Sequence, residues 1–276
     1  MIAGTQVTLE TFSPTLDFPL THPETATVSF SSIEFSDVSD FDIANDGVNI
    51  VPVQFDVQPG RIHIELLENG YFGNVDDDAF NGHLLTFDGL ASQGLSIRGA
   101  EVVGASNTLG LPGDFVTTSA NTVQINFDGL PFSFGDQAEI QLDFNSRGSA
   151  GADQLAGEAG RDRLLGRGGA DVLDGAAGRD VLKGGRGADT LAGGADNDRL
   201  FGNGGDDVFV LELAGGKDRV FDFSAGDQIA INTSAQSVDD LHIIQKDGRL
   251  IIRDDGASLV LLETNVLDLH DEVFLF

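Results

Sequence analysis

Seven aspartates stand nine residues apart in this chain: Asp153, Asp162, Asp171, Asp180, Asp189, Asp198 and Asp207. Five residues before each comes a glycine: Gly148, Gly157, Gly166, Gly175, Gly184, Gly193 or Gly202. Two residues before each comes another, Gly151, Gly160, Gly169, Gly178, Gly187 or Gly205, with Asp196 the one exception. Glycine lets a short stretch turn sharply, take positive φ and face its carbonyls inward. One carboxylate among several carbonyl oxygens is a hard, oxygen-only ligand set, which suits Ca²⁺.

Such loops need elements to hold them. Two residues after each aspartate stands Leu155, Leu164, Leu173, Leu182, Leu191, Leu200 or Phe209, the centre of a three-residue strand pointing into a core. One unit cannot bury that side chain alone, so the units must stack. A flexible glycine-rich linker would not keep aspartate, leucine and glycine in phase over seven periods. The units fill residues 148–210 without a gap.

The stretch GGRGADTLAGGADNDRLFGNGGDDVFV (184–210) resembles the G-G-x-G-x-D-x-U-x nonapeptide of RTX (repeats-in-toxin) proteins. That resemblance implies a right-handed parallel β-roll with two nonapeptides per turn and Ca²⁺ between loops n and n+2. Seven units then give five pairs: 1/3, 3/5 and 5/7 on one side, 2/4 and 4/6 on the other. It implies two repeat aspartates per site, with carbonyls from positions two and four of the earlier loop and one and three of the later. Those carbonyls belong to Ser149, Gly151, Gly166 and Gly168 for pair 1/3, and to Arg167, Gly169, Gly184 and Arg186 for 3/5. Pair 5/7 takes Gly185, Gly187, Gly202 and Gly204. Pair 2/4 takes Glu158, Gly160, Gly175 and Ala177, and pair 4/6 takes Ala176, Gly178, Gly193 and Ala195. Ser149, Glu158, Arg167, Ala176 and Asn203 replace the second glycine, where a carbonyl remains. Asp196 at the fourth position of unit six either distorts its site or adds a carboxylate.

Composition agrees with a cation-binding protein. Acidic residues outnumber basic ones 45 to 15 over 276 residues, a net charge of -30. This balance repels nucleic acid and anionic lipid. With no cysteine, disulfides, thiolate metal sites and cysteine nucleophiles are excluded. No apolar run reaches the length of a membrane helix, and MIAGTQVTLETFSP lacks the features of a Sec signal peptide.

Residues 1–147 read as all-β, with short alternating runs such as RIHIELL, HLLTF, TVQINF and AEIQLDF separated by turn residues. VPVQFDV and RIHIELL should form a hairpin, and the two FDGL stretches (87–90 and 127–130) read as turn chemistry. The acidic stretches 37–47 and 74–82 fit no EF-hand and read as solvated turns. His22, His63, His83, His242 and His270 are scattered, and neither HExxH nor G-x-S-x-G occurs. With Tyr71 as the one tyrosine and no tryptophan, sugar stacking in this half is under-supplied, and the 20 phenylalanines read as core.

Residues 211–276 read as a β cap over the roll end. It includes DRVFDFSAGDQIAI (218–231), which is similar to the C-terminal flank of RTX modules, and a hairpin turning at Asp247-Gly248. The terminal DEVFLF, acidic then apolar, is similar to a type I secretion signal.

The expected architecture is therefore all-β: an N-terminal β-sandwich (1–147), a right-handed parallel β-roll (148–210) and a C-terminal β cap (211–276). The expected function is that of a secreted Gram-negative RTX protein whose roll folds on about five Ca²⁺ ions outside the cell. Its expected partners are calcium, the type I secretion apparatus, and a cell-surface or matrix ligand held by a non-catalytic N-terminal domain. The alternative is an enzyme with an unfamiliar site in residues 1–147.

Overall fold

The structure, a computed structural model, describes residues 6–12, 24–27, 33–35, 53–58, 60–66, 70–71, 82–127, 130–213, 215–254, 256–262 and 273–276. It is all-β, with 3₁₀ turns as the only helical elements among the described residues. The acidic stretch 37–47, all of 74–82 except Gly82, and His22, His270, Asp271 and Glu272 lie outside the described residues. The chain divides into two compact units, 1–143 and 144–276.

The first unit is a β-sandwich. One antiparallel sheet runs in the order Glu24–Thr27, Gln6–Phe12, Gly82–Asp88, Thr122–Asn126, Val116–Thr118. The other contains Ile33–Phe35, Val53–Gln58, Arg61–Leu66 and the first part of Gln137–Arg147. The expected hairpin is present, with Gln58 opposite Arg61 and Gly60 at φ 76°. Alternation sets the core: every second residue of Arg61–Leu66 is buried, and Ile62, Ile64 and Leu66 are fully enclosed with Leu85, Phe87, Val123 and Ile140. Full burial of one such side chain contributes roughly 1.5–3 kcal/mol.

The second unit is a parallel β-solenoid. On one side the strands Gln154–Ala156, Val172–Asp174, Thr190–Ala192 and Val208–Glu212 stack in parallel. On the other, residues 145–147 begin a stack that continues through Arg163–Gly168, Val181–Arg186 and Arg199–Gly204. Each strand therefore pairs with the one two units away. The inward leucines line up as a column: Leu164, Leu173, Leu182, Leu191, Leu200 and Phe209 are 0% exposed.

Stacking does not stop at Val210, where the nine-residue frame ends. Lys217–Val220 continues one side, with Leu200 opposite Val220. Gln228–Asn232 continues the other, with Phe209 opposite Ile229. The hairpin follows, His242–Lys246 against Arg249–Asp254, and its turn residues Asp247 and Gly248 both have positive φ (53° and 69°). Positive φ at both central residues is the two-residue turn that matches strand twist. Ala257–Leu262 then pairs in parallel with Lys217–Val220 and antiparallel with Arg249–Asp254, so the hairpin extends that side to its edge at His242–Lys246.

The last residues serve this core. Phe274 pairs opposite Ile229 and is 7% exposed, whereas Phe276 is 53% exposed. The end of the chain is thus built into the cap. Phe274→Ala should cost about 3–5 kcal/mol in calcium, while Phe276→Ala should change stability by less than about 0.5 kcal/mol. Urea unfolding of both variants checks this, and equal effects would show that Phe274 is not anchored.

Candidate metal centre

The solenoid sorts the seven aspartates into two columns. Asp153, Asp171, Asp189 and Asp207 stand on one side, and Asp162, Asp180 and Asp198 on the other. Within a column, Oδ1 of each aspartate accepts a hydrogen bond from the backbone N–H of the aspartate one turn earlier. Asp153 N–H donates to Asp171 Oδ1 (2.9 Å), Asp171 N–H to Asp189 (2.8 Å) and Asp189 N–H to Asp207 (2.9 Å). The even column repeats this from Asp162 to Asp180 (2.7 Å) and Asp180 to Asp198 (2.8 Å). Phe144 N–H starts that column on Asp162 (2.6 Å).

The second oxygen has a different fate along the stack. At the first turn it is satisfied locally, Asp153 Oδ2 by the Ser149 amide (2.6 Å) and hydroxyl (2.9 Å), and Asp162 Oδ2 by the Glu158 amide (2.6 Å). Further in, Asp171 Oδ2 and Asp189 Oδ2 are buried with no hydrogen-bond partner. A buried anion left unpaired is costly. Each Oδ2 sits above the first glycine of its own loop, and in the first four units the first carbonyl of the loop one turn on shares that space. A β-carbon on Gly148 would lie 2.6 Å from the Gly166 carbonyl oxygen and 2.7 Å from Asp153 Oδ2. The same convergence recurs at Gly157 with Gly175 and Asp162, at Gly166 with Gly184 and Asp171, and at Gly175 with Gly193 and Asp180. Glycine is required there because a side chain would fill the space that carboxylate and carbonyl share.

The loops carrying the remaining residues stack in the same two sets. Ser149 and Gly151 belong with 166–169, 184–187, Gly202 and Gly204; Gly168 lies opposite Arg186, and Arg186 opposite Gly204. Glu158 and Gly160 belong with 175–178, Gly193 and Ala195, linked by the bridges Ala159–Ala177 and Ala177–Ala195. The third-position carbonyls of Arg186, Gly204, Ala177 and Ala195 accept amides from the loop before, at 2.8–3.2 Å, which leaves each a second lone pair. Arg167, Ala176 and Asn203 take positive φ (82°, 68° and 68°) at the second position, as Gly185 and Gly194 do. Asp196 takes φ 78° in place of the fourth-position glycine, so its loop keeps the turn without glycine. Among the described residues no three of His, Asp or Glu gather at one point; the donor set is carboxylate plus carbonyl.

Burial raises the pKa of Asp189, Asp198 and Asp207. Desolvation lifts Asp189 from the ordinary 3.8 to about 6, helped by Asp207 and Asp171 above and below it. Desolvation also raises Asp198 and Asp218, and the nearby Asp198 charge adds to the rise at Asp218. Without metal, the folded roll therefore binds protons more readily than the unfolded chain. Its stability should fall as pH rises through the window from 3.8 to about 6. A calcium-stripped chain should regain roll structure at the acid end of that window and lose it at pH 8. With saturating calcium the trend should reverse, because protons compete for the same oxygens. Urea midpoints against pH, with and without calcium, test this; parallel trends would refute it.

The sequence frame missed two members of the columns. Asp218 Oδ1 accepts the Asp198 amide (3.0 Å) and Asp227 Oδ1 accepts the Asp207 amide (2.9 Å). Their step is 20 residues where the repeat has 18, so a nine-residue frame passes them by. The signal was present in the flank itself, because Asp218 and Asp227 are nine apart. Asp222 was missed as well: it accepts the amides of Gly202 (3.0 Å) and Asn203 (2.9 Å), capping the last loop of its side with a carboxylate.

The family of the RTX calcium-binding nonapeptide repeat (4 copies) matches residues 147–182 and 174–209, the segment that builds both columns. This segment is an RTX calcium-binding β-roll. Solved structures similar to part of the chain include the extracellular lipase LipA from Serratia marcescens (16% identity, TM-score 0.28, 48% of this chain and 40% of the lipase). Two subunits of a mannuronan C5-epimerase from Azotobacter vinelandii are also similar. One is 26% identical with TM-score 0.20, covering 46% of this chain and 80% of the subunit; the other is 26% identical with TM-score 0.24, covering 47% and 91%. The chain thus spans less than half of the lipase's length. No curated protein matches it.

Proposed function

We propose that the RTX roll is a calcium-gated folding module in a secreted, non-catalytic protein. Calcium would lie between loops n and n+2, about five ions in all. Each would be held by the repeat aspartates and by the first- to fourth-position carbonyls of the two loops. The carrying observation is the pair of buried, donor-less oxygens on Asp171 and Asp189, each aimed into a space cleared by the first glycine of its own loop, which at Asp171 is shared with the Gly184 carbonyl of the next loop. A divalent cation supplies the charge that no protein group supplies there.

Without it, carboxylates stacked at the strand spacing of about 4.8 Å repel one another, so binding energy becomes folding energy. Where calcium is scarce the roll stays open and can be threaded through an export channel; at extracellular levels of roughly 0.1–1 mM it closes. Among the described residues no helix is long and apolar enough to cross a membrane. The N-terminal sandwich would then be carried outside as a module that binds a surface or matrix ligand.

A calcium titration of the chelator-treated full chain, followed by circular dichroism and hydrogen exchange, tests the gate. Amides of residues 153–207 should gain protection cooperatively with calcium. Equal protection in chelator would end the proposal.

A further inference from the structure

Of the nine Lys and Arg residues between 148 and 232, five belong to the even-numbered units of the roll and two, Lys217 and Arg219, to the strand that continues their stack. Stacking gathers them into rows. Arg163, Val181, Arg199 and Arg219 lie in one register. The residues just before the aspartates form a second row, Arg161, Arg179, Asn197 and Lys217, with the Lys217 amide bonded to Asn197 Oδ1 (3.0 Å). Leu165, Lys183 and Phe201 form a third, and Phe221 extends it. No acidic residue stands in any of the three rows, in a chain whose net charge is -30.

All six arginine and lysine heads of the first two rows are exposed. Arg199, Lys217 and Arg219 form no ion pair with a described residue. The rows flank a cleft of about 530 Å³, at whose floor lie Asp180 and Asp198. At its edge Phe201 and Phe221 stack at 4.6 Å, with the Arg199 guanidinium 4.8 Å from the Phe221 ring centre and Lys183 Nζ 4.9 Å from that of Phe201. On the opposite side of the roll the corresponding positions are occupied by Val172, Thr190 and Val208. The basic charge is therefore gathered on one face.

A structural account is available for Arg179, which stabilises the charged form of Asp198. It does not reach the outward Arg163–Arg199–Arg219 row or the aromatic pair, and calcium would discharge the aspartates without these cations. We propose that this face binds a linear, carboxylate-bearing polysaccharide laid along the roll axis. Rungs of cation recur at the strand spacing of about 4.8 Å, comparable with the advance of one sugar in an extended pyranose chain. The phosphates of one B-DNA strand advance about 3.4 Å and fall out of step. Arginine forks match carboxylates bidentately, and the Phe201–Phe221 stack offers an apolar platform for a sugar face. The net charge elsewhere confines attraction to this face, since salt screens charges beyond about 8 Å.

The site needs the folded roll and so rests on the calcium reading, but the two can fail separately. Circular dichroism in calcium shows whether the full chain has folded before any sugar is added. Fluorescence anisotropy with short, labelled oligogalacturonates then measures binding. The folded chain should bind them, more weakly as salt rises. R199Q/R219Q should weaken binding at least about tenfold, or 1.4 kcal/mol, with the calcium-induced spectrum unchanged. R199K/R219K should retain most of it, which separates lost charge from lost fold. R61Q/R98Q, the same charge change in the N-terminal unit, should have no effect. Absence of binding by the folded wild-type chain, equal loss in R61Q/R98Q, or equally tight binding of a short DNA duplex of matched charge would each overturn the assignment.

Discussion

Gly178→Ala should abolish the roll at any calcium concentration. Gly178 has φ +126°, and a β-carbon on it would overlap the carbonyl oxygen of Gly160 one turn below. That neighbour is backbone, held where it is by the Gly160 amide bonding to Ala177 (2.9 Å) and by the bridge between Ala159 and Ala177. Neither side can give way without unstacking two turns. Gly204→Ala is the matched control, because its β-carbon would come no closer than 3.8 Å to another atom. Both residues are loop glycines of the same repeat, so composition alone would rank them together. Circular dichroism in excess calcium should show the wild-type spectrum for Gly204→Ala and an open roll for Gly178→Ala. Normal folding of Gly178→Ala would mean that the loops do not stack as closely as described.

The second large effect concerns which aspartates matter most. Asp171→Ala and Asp180→Ala should each remove about two calcium ions, and Asp153→Ala about one. Units three and four each face a loop above and a loop below on their own side, while unit one has only unit three beyond it. The first turn is also the one where Ser149 already satisfies the Asp153 carboxylate, so its loss leaves less unpaired. Asp171→Asn sharpens the test. The amide oxygen can still accept from the Asp153 N–H, so the ladder bond survives while the charge is lost. Calorimetry should then show weaker calcium binding with folding restored at high calcium, whereas Asp171→Ala loses both. Equal stoichiometric losses for Asp153 and Asp171 would refute pairing of loop n with loop n+2.

Much of the roll was legible in the sequence because a solenoid is translational. Every unit meets the same surroundings, so the phase of Asp153 to Asp207 and of Leu155 to Phe209 states the register directly. The same holds for the hairpin, where Asp247-Gly248 carries its own backbone preference. These are local or repeated signals, and neither needs the rest of the chain to be interpreted.

What only the tertiary structure decided involves residues outside that phase. Two extra residues between Asp207 and Asp218 break the nine-residue frame, yet they fall in the connection before Lys217, so the strands beyond still stack and Asp218 and Asp227 join the columns. Whether a carboxylate oxygen is satisfied, as on Asp153 and Asp162, or left without a donor, as on Asp171, follows the second-position backbone: the amides of Ser149 and Glu158 reach it, whereas Arg167 takes positive φ. Phe274 and Phe276 are the same residue type two positions apart, and only pairing with Ile229 buries the first. The basic rows arise because residues far apart in sequence are brought one strand spacing apart, and summed charge over the chain conceals them.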